Sequence, residues 1–133
     1  MIKKIIAIII LITVVLFFFW GKSEQDLGDS YYYLPKYEAI DVGYPGGAII
    51  YKSQQKYLFS DIKISGNIID VNSNDNFVLA VQKLDNLNIE TDSLQYFIIV
   101  KKTDLMYGPF NSELYLQTRI NLEIPKKLNL EIN

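Results

Sequence analysis

The chain contains no cysteine and no histidine in 133 residues. Without cysteine there is no disulfide, no disulfide-linked partner, no thiolate nucleophile or metal site, and no lipid-modified N-terminal cysteine. Without histidine there is neither a Ser-His-Asp arrangement nor an imidazole metal site. Arginine occurs once, as Arg119, and the basic runs after the N-terminus are only pairs, Lys101-Lys102 and Lys126-Lys127. With a net charge of −2 the chain lacks the dense basic patch that nucleic acid requires, so nucleic acid is not expected as a partner. The chemistry left belongs to carboxylates, Lys, Tyr, Ser/Thr and Arg119. Nothing in the spacing of the 15 carboxylates brings two of them together, although a glycosidase-type pair needs only two that converge in space. The expectation is a non-catalytic protein without cofactor or metal.

What the chain has in excess is an apolar run at its start. Ile5–Trp20 carries no charge, Thr13 is its one polar residue, and Lys3 and Lys4 precede it. Its Ile, Leu, Val and Phe side chains favour membrane insertion by about 4–8 kcal/mol in sum. Sixteen or so residues lie at the short end for a bilayer span. Trp20 suits an interfacial anchor, and the two lysines place the N-terminus on the cytoplasmic side. Residues 1–21 are therefore predicted as a transmembrane anchor, with the rest of the chain extracytoplasmic on a single-pass protein of the cytoplasmic membrane. The alternative is a signal segment cut near Gly21-Lys22-Ser23, which would release a secreted domain. Residues 22–30 are polar and read as a tether. Residues 31–133 suffice for one domain.

Within that domain the apolar pattern has mostly the period of two that strands require. Tyr31–Leu34 reads as a first strand ended by Pro35, and Ala48–Ser53 as a second after the turn Gly43–Gly47. Asp61–Val71 reads as one half-buried strand whose phase changes beside Gly66, which suggests a bulge. Asn72–Asn76 is a polar turn, and Phe77–Lys83 completes a hairpin. Leu84–Ser93 is a polar loop. Tyr96–Val100 is apolar on both faces, so it belongs in the middle of its sheet. Tyr107-Gly108-Pro109 reads as a turn into a late helix, capped by Asn111 or Ser112 and running to about Asn121, with Leu116 and Ile120 as an apolar stripe. Lys127–Ile132 alternates as a last short strand. The predicted class is α+β: a small, mainly antiparallel sheet with one late helix, preceded by the N-terminal transmembrane or signal helix.

Tyr31-Tyr32-Tyr33, Ala48-Ile49-Ile50-Tyr51-Lys52, Tyr96-Phe97-Ile98-Ile99, Tyr107-Gly108-Pro109-Phe110 and Glu113-Leu114-Tyr115 follow one another in that order. Over about residues 30–125 this resembles a family of small bacterial envelope proteins catalogued only as a domain of unknown function. The resemblance implies an envelope location and supplies no activity. Lipoprotein members of that family carry a cysteine after the apolar segment; here there is none, so the helix itself would hold the protein.

Seven of the ten tyrosines fall between Tyr31 and Tyr57. A tyrosine joins a flat apolar face to a polar tip, which suits recognition of proteins and sugars. Tyr31, Tyr32, Tyr33, Tyr37, Tyr44 and Tyr107 are the candidate binding residues. Alternation along a strand must turn at least one of Tyr31-Tyr32-Tyr33 outward. The expected function is protein interaction, with an envelope protein as partner, through this half or a sheet edge; the alternative is a tyrosine-mediated site for a glycan or small ligand. Asp70–Asn76 offers oxygen ligands at alternating positions, but Asp75 and Val81 stand where a helix-loop-helix calcium site needs Gly and Glu. Gly46–Ser53 lacks the Gly-Lys step of a phosphate loop.

Overall fold

The structure is a computed structural model and describes residues 1–19, 24–84 and 93–131. Helix α1 (Ile2–Phe19) holds 18 residues, about 27 Å at 1.5 Å per residue. From Ile5 to Val15 its large apolar side chains stand about half exposed. Among the described residues, no helix is long and apolar enough to cross a membrane. Trp20 and the possible cut at Gly21-Lys22-Ser23 lie outside the described residues.

The domain is a sandwich of two four-stranded antiparallel meanders. β1 (Gln25–Gly28), β2 (Tyr31–Leu34), β3 (Ile49–Lys52) and β4 (Asp61–Ser65) form the first sheet in that order. β5 (Ile68–Ser73), β6 (Phe77–Leu84), β7 (Ser93–Val100) and β8 (Leu105–Phe110) form the second. The short helix α2 (Lys36–Asp41) covers the first sheet, and α3 (Ser112–Asn121) with the tail after it covers the second. Antiparallel α+β architecture is as expected; the division into two packed sheets and the early helix α2 are not.

The pleat explains the layers, because successive side chains leave opposite faces of a strand. Tyr31, Ile50 and Ile64 point inward to meet Val78, Ala80, Phe97 and Ile99 between the sheets. Leu34, Ile49 and Tyr51 point outward under α2, whose Ala39 is fully buried. On the far side Leu79, Val81, Tyr96 and Ile98 meet Tyr115 of α3 and Ile124, Leu128 and Leu130 of the tail. Both faces of β7 are thus covered and both neighbours paired, which bears out its central place.

Several local expectations need correction. The segment read as a tether joins the sheet: Gln25–Gly28 pairs with β2, and Leu27 is 3% exposed. Asp29 and Ser30, at φ 50 and 69, make the two-residue turn, the left-handed geometry that matches strand twist in a tight hairpin. Asp61–Val71 is two strands in different sheets, broken at Gly66-Asn67. A Cβ at Gly66 would lie 3.3 Å from the Gly46 carbonyl oxygen, and its φ is +85, so a side chain at this corner would be both strained and tightly packed. The expected hairpin with Phe77–Lys83 is present, but only Ile68–Ser73 takes part. Residues 85–92 of the expected polar loop lie outside the described residues.

Tyr107-Gly108-Pro109 is not a turn. It lies inside β8, where the ladder shifts register opposite Phe97. Of the two expected caps, Asn111 and Ser112, it is Asn111 that caps α3, its side chain accepting from the Leu114 N–H at 2.8 Å. The apolar stripe does not face the core: Leu116 and Ile120 are 57% and 77% exposed, while Tyr115 and Arg119 are buried. Described residues 127–131 form no strand; Leu128 and Leu130 are buried by packing alone.

Candidate functional site

The tyrosine cluster divides among three places. Tyr31 is fully buried between the sheets, and its hydroxyl donates to Asp104 Oδ1. Tyr33 follows two residues on, half-buried against the same inner core. Burial raises its pKa, with Asp70 adding to the effect. Tyr107 packs on the opposite side of the molecule, beneath α3. Only Tyr32, Tyr37 and Tyr44 belong to the outer side of the first sheet, so the six candidates do not make one surface.

That outer side has its own aromatic order. Tyr32 stacks on Tyr51 at 5.3 Å, Phe59 stands edge-on to Tyr51 at 4.9 Å, and Tyr44 meets Phe59 at 5.5 Å. Tyr57 reaches the same Phe59 ring at 6.4 Å. Phe59 therefore joins the α2 region to residues 54–59. Tyr57 holds φ 60, costly for a bulky side chain, and its N–H donates to the buried Tyr51 hydroxyl at 3.1 Å. Outside this packed layer stand Tyr37, Ile40 and Val42 from α2 and its end, with Tyr57 and Leu58 from the loop, all between 41% and 77% exposed. This is the candidate site. Tyr57 shared in the tyrosine excess of the sequence, but Ile40, Val42 and Leu58 carried no signal, because their exposure depends on how a six-residue helix seats on the sheet.

Glu24 sits at the border of this face. It is 8% exposed, and among the described residues neither carboxylate oxygen has a hydrogen-bond partner; the same holds for the buried Oε2 of Glu38 on α2. Burial raises the pKa of Glu24; Lys56 opposes this, and the negative charge of Glu38 adds to it. The Tyr57 N–H also draws it down from nearby but is spent on Tyr51. Glu24 thus marks where the chain enters the domain: beside α2 and the 54–59 loop.

Two of the polar links between the sheets arise from the β7–β8 turn. Asp104 accepts from Tyr31 of β2 and from Lys63 Nζ of β4 at 3.1 Å, with Lys52 Nζ of β3 at 3.5 Å. Its pKa is lowered, first by the Tyr31 bond, against a raising effect of burial, with Lys63 and Lys52 helping. Tyr31 is raised by burial and then by Asp104. Asp104→Ala is expected to cost about 1–3 kcal/mol, mainly because the Tyr31 hydroxyl is left without an acceptor. The double variant with Tyr31→Phe should lose less than the two single losses added, in urea melts; strict additivity would refute the link. A lowered folded-state pKa means that the stabilisation is complete above the ordinary value of 3.8 and is lost as pH falls through the lowered one. Asp104→Ala should therefore flatten the acid limb of the stability curve.

The second link is Lys101, 5% exposed, whose ammonium donates to the Leu27 carbonyl of β1 and to the Asn74 carbonyl at 2.6 Å. Burial lowers its pKa while Asp29, Asp75 and Asp26 oppose. These residues line a cavity of about 410 Å³. The oxygen-rich stretch Asp70–Asn76 does meet a cation, and the cation is a lysine of the chain itself. Among the described residues, no group of three or more Asp or Glu is placed to hold a metal ion.

An antiparallel β-sandwich with an exposed aromatic face and an apolar N-terminal helix defines a small α+β domain. The chain belongs to the family described as Protein of unknown function (DUF3997), which it matches over residues 30–132. No curated protein and no solved structure matches it.

Proposed function

We propose that the protein is a non-catalytic interaction module of the bacterial envelope, held at the outer side of the cytoplasmic membrane by α1. The anchor reading is supported by the exposed apolar flank of α1 from Ile5 to Val15. The uncharged part of α1, Ile5–Phe19, is about 22 Å long at 1.5 Å per residue, shorter than a hydrocarbon core of about 30 Å, a mismatch that local thinning and snorkelling of Lys3 and Lys4 would have to absorb.

The interaction reading rests on the free edge of the second sheet. β8 pairs with β7 on one side only, and among the described residues nothing hydrogen-bonds to its outer edge. Leu105 and Met106 on this edge are 52% and 42% exposed. An unpaired edge bearing apolar side chains invites an added strand from another protein. Pro109 lacks an N–H, so pairing would be confined to about Leu105–Tyr107.

A photo-crosslinking residue at Met106 in the full chain, expressed in its native cell, is expected to capture one protein in stoichiometric yield, whereas the same residue at Gln117 captures none. Equal or absent capture at the two positions would overturn the interaction reading. Separately, the protein should stay with membranes through a high-salt wash, and release by salt alone would overturn the anchor.

A further inference from the structure

We propose that the face formed by α2 and the 54–59 loop lies on the surface of the lipid bilayer, at the level of the headgroups. This rests on the reading of α1 as the anchor.

Chain length carries the argument. α1 ends at Phe19 and the described domain resumes at Glu24. Five residue steps span at most about 18 Å even when fully extended. The point where Glu24 enters the domain therefore cannot stand far from the membrane. Gln25 pairs with Tyr33, so Glu24 lies at the end of β1 beside the end of β2 that leads into α2, and the part of the domain beside the anchor is this face. α3 and the tail lie two sheets away.

The composition of the face suits that occupant. Tyr37 and Tyr57 are 77% and 56% exposed, and Leu58 is 51% exposed. Amphipathic rings with apolar neighbours are what the membrane–water boundary selects, and in water they would be an apolar liability. The groups around them are of both signs: Lys36, Lys56 and Asp41 are exposed and Glu38 is half-buried. Docking is therefore driven by ring and apolar contact and does not depend on anionic lipid. Unpartnered Glu24 fits as well, since burial favours its neutral form and a nearby bilayer adds to that burial.

The absence of cysteine makes the test clean. Leu58→Cys and, on α3, Gln117→Cys are each labelled with an environment-sensitive fluorophore in the full chain and reconstituted into phosphatidylcholine vesicles. At Leu58 iodide quenching should fall by at least about three-fold on reconstitution, with quenching by headgroup spin-labelled lipid in its place; at Gln117 neither should change. Tyr57→Ser in the labelled Leu58→Cys background should restore the iodide access while the protein still floats with the vesicles. Flotation with Leu58 as wet as Gln117 overturns the docking and leaves the anchor standing. Failure to float overturns both. Protection that grows with protein density at fixed lipid identifies a second copy of the chain as occupant and overturns the bilayer.

Discussion

Gly108→Ala is expected to lower the stability of the domain by roughly 3 kcal/mol, a large share of the ~5–15 kcal/mol that holds an ordinary domain together. Gly108 lies in β8 at φ +123, where a side chain clashes with its own backbone. A Cβ there would also stand 2.5 Å from the Tyr96 carbonyl oxygen and 3.1 Å from Phe97 Cδ1. Both neighbours belong to β7, packed on its two faces and paired on its two edges, so neither can retreat cheaply. Gly43 supplies the control. It has φ +103 but, among the described residues, nothing within 4 Å of where a Cβ would stand, so Gly43→Ala carries the backbone strain without the collision and should cost about 1 kcal/mol. The difference between the two urea midpoints isolates the contact term, about 2 kcal/mol on the scale of overpacked sites. Equal losses at the two glycines would show that β7 yields and that the bulge is not a fixed point of the sheet.

The same glycine shows why part of the fold was legible in the sequence and part was not. Tyr96–Val100 announced a central strand because apolar residues on both faces have only one economical place, between two layers. Asn111 announced a helix start because a capping side chain acts within three residues. Such signals are local. Tyr107-Gly108-Pro109 has the composition of a turn, and only the register of β7 against β8 makes it a bulge. Asp61–Val71 has a strand pattern whose phase change beside Gly66 reads equally as a bulge within one strand, and only the packing of a second sheet makes it a corner between two. Leu27 is the single apolar residue in a polar stretch, too little for periodicity, and its burial follows from the hairpin it enters.

The candidate site was legible to the same degree. Alternation in Tyr31-Tyr32-Tyr33 required these rings to part between two faces, and they do. Which face was interior depended on a second sheet that nothing in those three residues encodes. Tyr31, the most buried of them, became half of an inter-sheet link whose other half, Asp104, lies 73 positions away. Tyr107 separated from the others for the same reason: it belongs to the other sheet. The exposed aromatic face was assembled instead from Tyr37 on α2 and Tyr57 in the loop, the latter in ring contact with Phe59, which also meets Tyr44 after α2.

Arg119→Leu is expected to cost about 3 kcal/mol, and to do so by releasing the tail before the sandwich unfolds. The arginine is 8% exposed. Nη1 donates to Asn129 Oδ1 at 3.0 Å, and Nη2 to the carbonyls of Leu128 at 2.5 Å and Pro125 at 3.2 Å. A longer contact of 3.4 Å reaches the Tyr115 hydroxyl. No carboxylate is among these partners, so the guanidinium serves as a fork of donors for a tail without regular structure, satisfying carbonyls that helix and strand would otherwise bond. The backbone of Arg119 has a second part in this. Its carbonyl accepts from Ile124 N–H at 3.0 Å while the Ile120 carbonyl accepts from Glu123 N–H at 3.1 Å. With Glu123 at φ 55 this is a Schellman ending, which turns the chain back so that Ile124, Leu128 and Leu130 cover β6 and β7. Leucine would preserve that ending and remove the fork. Trypsin should then cut at Lys126-Lys127 faster than the unfolding measured by urea melts allows. Arg119→Lys keeps the charge but concentrates its donors at one point, so it should recover only part of the loss. Full recovery by lysine would mean that charge alone secures the tail, and cleavage no faster than global unfolding would mean that tail and sandwich melt as one unit.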